Sequence, residues 1–199
     1  VTQRVEYIKK TGEFRDSLDE RLIEWLKANK LLAMPVPNNL LITKTKNTNY
    51  KYLKKWLNAF NPKAIVFSGG HDIGKYKKRD LTEFFILEWG IKNKIPLFGI
   101  CRGMQIIGNY FGSNLIKCKN HVRKRHPVYF NNGSKVNVNS FHAWGLKKCP
   151  RNFKVLAKSK DNIIELMKHK FLPIQGCMWH PEREKKFSKE DLLRLKKLI

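Results

Sequence analysis

Two short apolar runs, AIVF at 64–67 and PLFGI at 96–100, each follow an amphipathic stretch and each stop at a glycine-containing turn. Runs that are apolar at consecutive positions, rather than alternate ones, suit strands buried on both faces, and such strands belong to parallel sheets covered by helices on either side. The neighbouring stretches fit that role. DSLDERLIEWLKANK (16–30) places Leu18, Leu22, Ile23, Trp25 and Leu26 at near-helical spacing, and NYKYLKKWLNAF (49–60) reads as a second helix. DLTEFFILEWGIKNK (80–94) then joins the two apolar runs as a third helix, while LLAMPVP (31–37) reads as a further short strand closed by prolines. Beyond residue 112 the rhythm shortens to NLIKC, HPVYFNNGSKVNVNSF, FKVLAKS, IIELMKH and PIQGCMW, with NNG marking a hairpin. SKEDLLRLKKLI closes as a helix capped by Ser188. The expected fold is a single α/β domain over residues 1–199 with an antiparallel elaboration in its second half.

Composition narrows the partners. With 42% apolar residues in 199, the chain has material for one sizeable core. The N-terminal VTQRVEYIKK is polar, and no apolar run approaches the ~20 residues that span a bilayer, so a soluble cytoplasmic protein with no membrane partner is expected. Cys101, Cys118, Cys149 and Cys177 form no CxxC pair and are expected to be reduced. A formal charge of +25 invites a nucleic-acid reading. Lysines are nevertheless spread along the whole chain among carboxylates, without a basic tail or an RNA-binding motif, so a solvated surface that helps to capture an anion is expected and a nucleic-acid partner is not.

The chemistry concentrates at GICRG (99–103), where an apolar run meets a helical one at a thiol. G-x-C-x-G is the spacing of a nucleophile elbow: the flanking glycines permit the tight turn, and the N-terminus of the following helix favours the thiolate. A small buried cysteine at a strand end satisfies the same five residues. GCMWHPERE (176–184) supplies a second strand end carrying His180, with Glu182 two residues on, able to serve as base and orienting carboxylate; a capped strand end with surface His and Glu is the alternative. SGGHD (68–72) puts glycines directly after a strand, where a backbone N–H can face a developing oxyanion beside that of Arg102.

Taken together, GICRGMQIIG, GCMWHPERE, SGGHD and VNSFHAWGL resemble the class I glutamine amidotransferase family over residues 60–184. The resemblance implies a flavodoxin-like, mostly parallel central sheet flanked by helices and a Cys101–His180–Glu182 triad, the HPE match favouring Glu182 over Glu184. It implies oxyanion-hole amides at Gly70 and Arg102. It also implies a glutamate grip from the Gln105 amide and the backbone of Ser140 and Phe141, although Gln105 could equally pack within its helix and NSFH could be an ordinary strand end.

Within the family, no synthase domain fits in this length, and GCMWHPERE with VNSFHAWG resembles the stand-alone γ-glutamyl hydrolase branch more than the glutaminase subunits. The expected partner is a small-molecule γ-glutamyl substrate, nucleotide-linked, whose phosphates would meet Arg123, Arg125, Lys75 or Lys78 from HVRKRHP (121–127) and HDIGKYKKRD (71–80). A homo-oligomer is compatible with all of this. No cofactor and no metal are expected: CKNH (118–121) and CMWH (177–180) have Cys-x-x-His spacing without a matching pair.

Overall fold

The protein, as a computed structural model, is described over residues 1–44 and 47–199. Its elements in chain order are β1 (Arg4–Ile8), β2 (Glu13–Ser17), α1 (Glu20–Ala28), β3 (Ile42–Lys44), β4 (Asn47–Asn49), α2 (Lys51–Phe60), β5 (Ile65–Phe67), α3 (Lys77–Lys92), β6 (Leu97–Ile100) and α4 (Arg102–Tyr110). The second half continues with β7 (Leu115–Lys117), β8 (Val122–Phe130), β9 (Lys135–Phe141), β10 (Trp144–Leu146), β11 (Phe153–Ser159), β12 (Ile164–His169), β13 (Ile174–Cys177) and α5 (Lys189–Lys196). Asp19 caps α1 by accepting from the Arg21 amide at 3.2 Å, and Ser188 caps α5 by accepting from that of Asp191 at 3.3 Å.

A seven-stranded sheet in the order β5-β6-β13-β12-β11-β8-β9 organises the molecule. Only the β5–β6 and β6–β13 junctions are parallel; the rest are antiparallel. The α/β class and the antiparallel second half stand as expected, but the sheet is mixed rather than mostly parallel: the second-half strands extend it antiparallel and confine parallel pairing to β5, β6 and β13. LLAMPVP departs from expectation: its prolines and short apolar reach leave only an isolated bridge from Val36 to Thr2, not a strand. The β1–β2 hairpin, whose residues carry no clean alternation, was not legible in the sequence.

The parallel strands are buried on both faces, as their consecutive apolar residues require. Ile65, Phe67 and Leu97 face a core with Leu53, Leu57, Ile86, Met104 and Ile107, from α2, α3 and α4. Val66, Phe98 and Ile100 face a second core with Leu22, Trp25 and Leu26 of α1 and Leu195 of α5. No helix among the described residues is long and apolar enough to cross a membrane.

The β6–α4 corner depends on close backbone approach. A methyl added at Gly103 would lie 2.1 Å from the Phe67 carbonyl oxygen, and one at Gly99 2.5 Å from the Gly103 carbonyl carbon. Both obstacles are backbone and cannot swing aside. Gly103→Ala is accordingly expected to cost about 3 kcal/mol, at the upper end of overpacking effects. Urea unfolding monitored by circular dichroism measures it, and a midpoint equal to the parent's would show that the corner relaxes freely.

Candidate active site

Cys101 sits at the junction of β6 and α4 with φ 53° and ψ −106°, a conformation that side-chain-bearing residues rarely adopt and that surrounding contacts must hold. Its amide donates to the Cys177 carbonyl at 2.8 Å, and its own carbonyl accepts the first intrahelical bond, from Gln105 N, at 3.1 Å. The amides of Arg102 and Gly103 precede that bond. The helix leaves them without an intrahelical acceptor, which makes its start an anion site beside the sulfur.

His180 arrives from the adjacent strand. β13 pairs in parallel with β6, Cys177 opposite Ile100, so the two strands deliver Cys101 and His180 just past their C-terminal ends, on the same side of the sheet. The backbone of His180 is gripped by Asn139 of β9, whose Nδ2 donates to the His180 carbonyl at 2.7 Å and whose Oδ1 accepts from the His180 amide at 2.9 Å. Glu182 Oε1 lies 2.6 Å from His180 Nδ1, which leaves Nε2 for the sulfur. Glu184 instead accepts from Asn139 and Arg125 at 2.8 and 2.9 Å, so the carboxylate in contact with the His180 ring is that of Glu182. On the opposite side the ring rests on Gly69, where an added methyl would strike Cε1 at 2.6 Å.

Electrostatics follow from this packing. Burial opposes the imidazolium of His180, yet the Glu182 carboxylate and the Cys101 sulfur push its pKa up to about 9. Burial likewise opposes a thiolate at Cys101, but the neighbouring His180 outweighs it and holds the thiol below its ordinary value. The arrangement favours a thiolate–imidazolium pair, the resting state of an activated cysteine nucleophile.

A buried ionic network underlies the site. Arg102 pairs with both Asp80 and Glu83, and Arg79 donates to Glu83 at 3.0 Å, all four side chains being buried. Arg79 also donates to the carbonyls of Ser68 and Gly69, each at 3.0 Å, fixing the loop after β5 that carries Gly70, itself at φ 137°. Burial alone would raise the Glu83 carboxyl, but Arg102 and Arg79 hold it below the usual range. Sequence reasoning read Arg102 only for its amide and missed the network, whose members lie on two helices.

The other expected residues divide. Gln105 is buried and its Nε2 donates to the Trp144 carbonyl at 2.8 Å, so the amide nitrogen is already engaged. Ser140 is buried with its hydroxyl donating to the His121 carbonyl at 2.5 Å, and the Phe141 ring meets His180 edge-on at 5.6 Å between centroids. The Phe141 ring is also covered by the Arg183 guanidinium at 4.8 Å. Arg125, half exposed, donates to both Glu184 oxygens at 2.9 Å and to the Asn137 carbonyl at 2.7 Å. Arg123 is exposed, at a bulge in β8 with φ 53°. Lys75 and Lys78 line a cleft of about 540 Å³ with Val5, Phe14, Asn39 and Tyr76, and Lys78 donates to Asn39 at 2.7 Å.

The family model of the class-I glutamine amidotransferases matches residues 13–198. The chain belongs to that family. It is 43% identical over 138 residues to the gamma-glutamyl-CDP-amidate hydrolase of Campylobacter jejuni, covering 66% of this chain and 68% of that protein. It is 34% identical over 149 residues to a glutamine-hydrolyzing GMP synthase subunit of Pyrococcus abyssi, covering 69% and 76%. Among solved structures, a provisionally assigned GMP synthase subunit from Thermoplasma acidophilum superposes with a TM-score of 0.69 at 22% identity, covering 88% of this chain and 84% of that one. A glutamine amidotransferase from Thermotoga maritima superposes with a TM-score of 0.59 at 17% identity, over 81% and 69%. These likenesses show that the α/β architecture is that of the amidotransferase fold.

Two expectations follow for this amidotransferase domain. In histidine-resolved NMR titration His180 should lose its proton near pH 9, and Glu182→Gln should move that midpoint to lower pH because the charge that raises it is gone; an unmoved midpoint would remove Glu182 from the role. Glu83→Gln leaves two buried guanidiniums short of an anion and should cost about 3–5 kcal/mol in denaturant unfolding.

Proposed function

We propose that this chain hydrolyses a γ-glutamyl amide through a glutamyl thioester on Cys101. The observation that carries the reading is the juxtaposition of an elbow cysteine at positive φ with His180, itself oriented by Glu182 at 2.6 Å. In this reading the Cys101 thiolate attacks the γ-carbonyl, and the tetrahedral oxyanion is held by the amides of Arg102 and Gly70. Imidazolium at His180 gives its proton to the departing nitrogen as the carbon–nitrogen bond breaks; neutral His180 then accepts a proton from water as that water attacks the thioester, releasing glutamate and restoring the thiolate–imidazolium pair. Gln105 and the backbone of Ser140 and Phe141 receive the glutamyl head, with the Gln105 Oε1, rather than its engaged nitrogen, left to face it.

The substrate favoured is a γ-glutamyl amide of a nucleotide, in particular gamma-glutamyl-CDP-amidate, split to glutamate and cytidine diphosphoramidate. Likeness to the Campylobacter jejuni hydrolase supports it, and the sequence resemblance implies a setting in capsule phosphoramidate synthesis. Of the four cations expected to meet its phosphates, Arg125 is paired with Glu184 and Lys78 with Asn39, so Lys75 and Arg123 are the less committed pair, and they would act mainly by speeding encounter.

Likeness to GMP synthase subunits supports a second reading: a glutaminase subunit that passes ammonia to a synthase partner. The discriminating experiment is glutamate release from a γ-glutamyl nucleotide amidate and from L-glutamine, with Cys101→Ala beside the parent. The expected result is turnover of the nucleotide substrate, little of glutamine, and a loss of at least about ten-thousand-fold on removing the thiol. Preference for glutamine, amplified by a synthase, would instead establish the subunit reading.

A further inference from the structure

On the far side of the glutamate-gripping segment, four side chains converge that the proposed chemistry does not use. His121 precedes β8, His126 lies within it, His142 follows β9, and Glu165 stands on β12; each offers one ligand atom, and all four atoms lie within 4.8 Å of one another. Glu165 is fully buried and neither carboxylate oxygen has a hydrogen-bond partner. A bare carboxylate in that position is costly without a cation.

The histidines are arranged around that carboxylate. From Glu165 Oε1 the distances are 3.5 Å to His121 Nδ1, 3.6 Å to His126 Nε2 and 3.6 Å to His142 Nε2. His121 Nδ1 and His142 Nε2 are 3.2 Å apart. Ligands about 2.0–2.1 Å from a tetrahedral zinc ion stand about 3.3 Å from one another, close to the spacings of Glu165 from each histidine and of His121 from His142.

The outer ring nitrogens complete the pattern. His121 Nε2 meets Asp161 at 3.0 Å, His126 Nδ1 meets the Pro127 carbonyl at 3.2 Å, and His142 Nδ1 meets the Trp144 carbonyl at 3.0 Å. An imidazole that donates its outer N–H to an oxygen presents a lone pair on its other nitrogen, and a carboxylate or carbonyl in that outer position is what metal-bound histidines use to fix their tautomer. With all three outer nitrogens protonated, the inner nitrogens turn their lone pairs toward one carboxylate, an arrangement that a cation among them would stabilise.

We propose that His121, His126, His142 and Glu165 bind one divalent d-block cation of the zinc class as a structural site. Imidazole nitrogen with one carboxylate selects that class over magnesium or calcium, and four protein ligands close the coordination shell. The ion would tie β8, the end of β9 and β12 together behind Ser140, whose hydroxyl bonds to the His121 carbonyl, and behind Gln105, which shares the Trp144 carbonyl with His142. A proton on His142 is the competing occupant: burial opposes it, while Cys118 and Glu165 raise its pKa to about 10.

The test uses the full chain in a Cys101→Ala background, so that the elbow thiol contributes no metal affinity. Zinc content after dialysis, the shift in melting temperature on adding Zn²⁺, and the visible spectrum with Co²⁺ are measured for this protein and for two further variants. One zinc per chain, a raised melting temperature and the intense bands of tetrahedral cobalt are expected. His126→Gln should lower zinc affinity by at least about a hundredfold, and Asp161→Asn, a partly exposed change that keeps all four ligands, by about ten- to a hundredfold. Absence of stoichiometric metal and of any melting shift, leaving His142 protonated against Glu165, would overturn the proposal. So would zinc binding that neither variant weakens.

Discussion

The active corner exists because one helix starts closer to a strand than side chains ordinarily permit. With only a hydrogen at Gly103, α4 can press its first turn against the Phe67 carbonyl, and with only a hydrogen at Gly99 the end of β6 can pass under that turn. Cys101 is the residue caught between them, and its positive φ is the consequence. The strain is local, while the contacts that hold it are spread over β5, β6, β13 and α4. That distribution lets the corner keep a conformation that a free peptide would abandon.

Such a corner needs a charge scaffold as well as a steric one. Beginning α4 at Arg102 places a guanidinium inside the molecule, and Asp80 and Glu83 on α3 answer it. Glu83 also answers Arg79, whose remaining donors reach the carbonyls of Ser68 and Gly69. One buried carboxylate thereby links the helix that carries the cysteine to the loop whose glycine borders His180. A buried pair adds little net stability over an apolar core, but a network of this kind restricts how the two segments can sit relative to each other. The proposed pairing of the Arg102 and Gly70 amides depends on that relative placement.

What the sequence disclosed and what it withheld follow from range along the chain. GICRG and HPE are local patterns in which the chemical residue and the residues that shape its backbone are a few positions apart, so the strand ends bearing Cys101 and His180, and the nearness of Glu182 to the histidine, were legible. The parallel core was legible for a related reason, since burial on both faces leaves an uninterrupted apolar run. Asn139 was not: it lies 41 residues from the histidine whose backbone it holds, and an asparagine on a strand carries no mark of that task. Glu83 reads as one acidic position on a helix until Arg102 folds against it. The edge of the sheet also escaped, because LLAMPVP has the composition of a strand and forms a single bridge.

HVRKRHP shows how far local composition can mislead. Read along the chain it is a basic patch suited to phosphate, and its charge is the conspicuous feature. In the fold its residues separate by side of the strand and by partner. Arg125 turns to Glu184 and so reinforces the carboxylate that also receives Asn139, which holds His180. His121 and His126 turn inward to Glu165. Arg123 stays exposed, lifted out by the bulge beside Val122. The net charge of +25 is thus a poor guide to where an anion would sit. A long-range field from dispersed lysines raises the local concentration of any anionic substrate, whereas selection among substrates requires side chains that are uncommitted and near the thiol. Lys75, Tyr76 and Lys78 line a cleft on the loop and helix that follow Gly69 and Gly70, with Lys78 held by Asn39, while on β8 the Arg125 guanidinium pairs with Glu184 and Arg123 stays open to solvent.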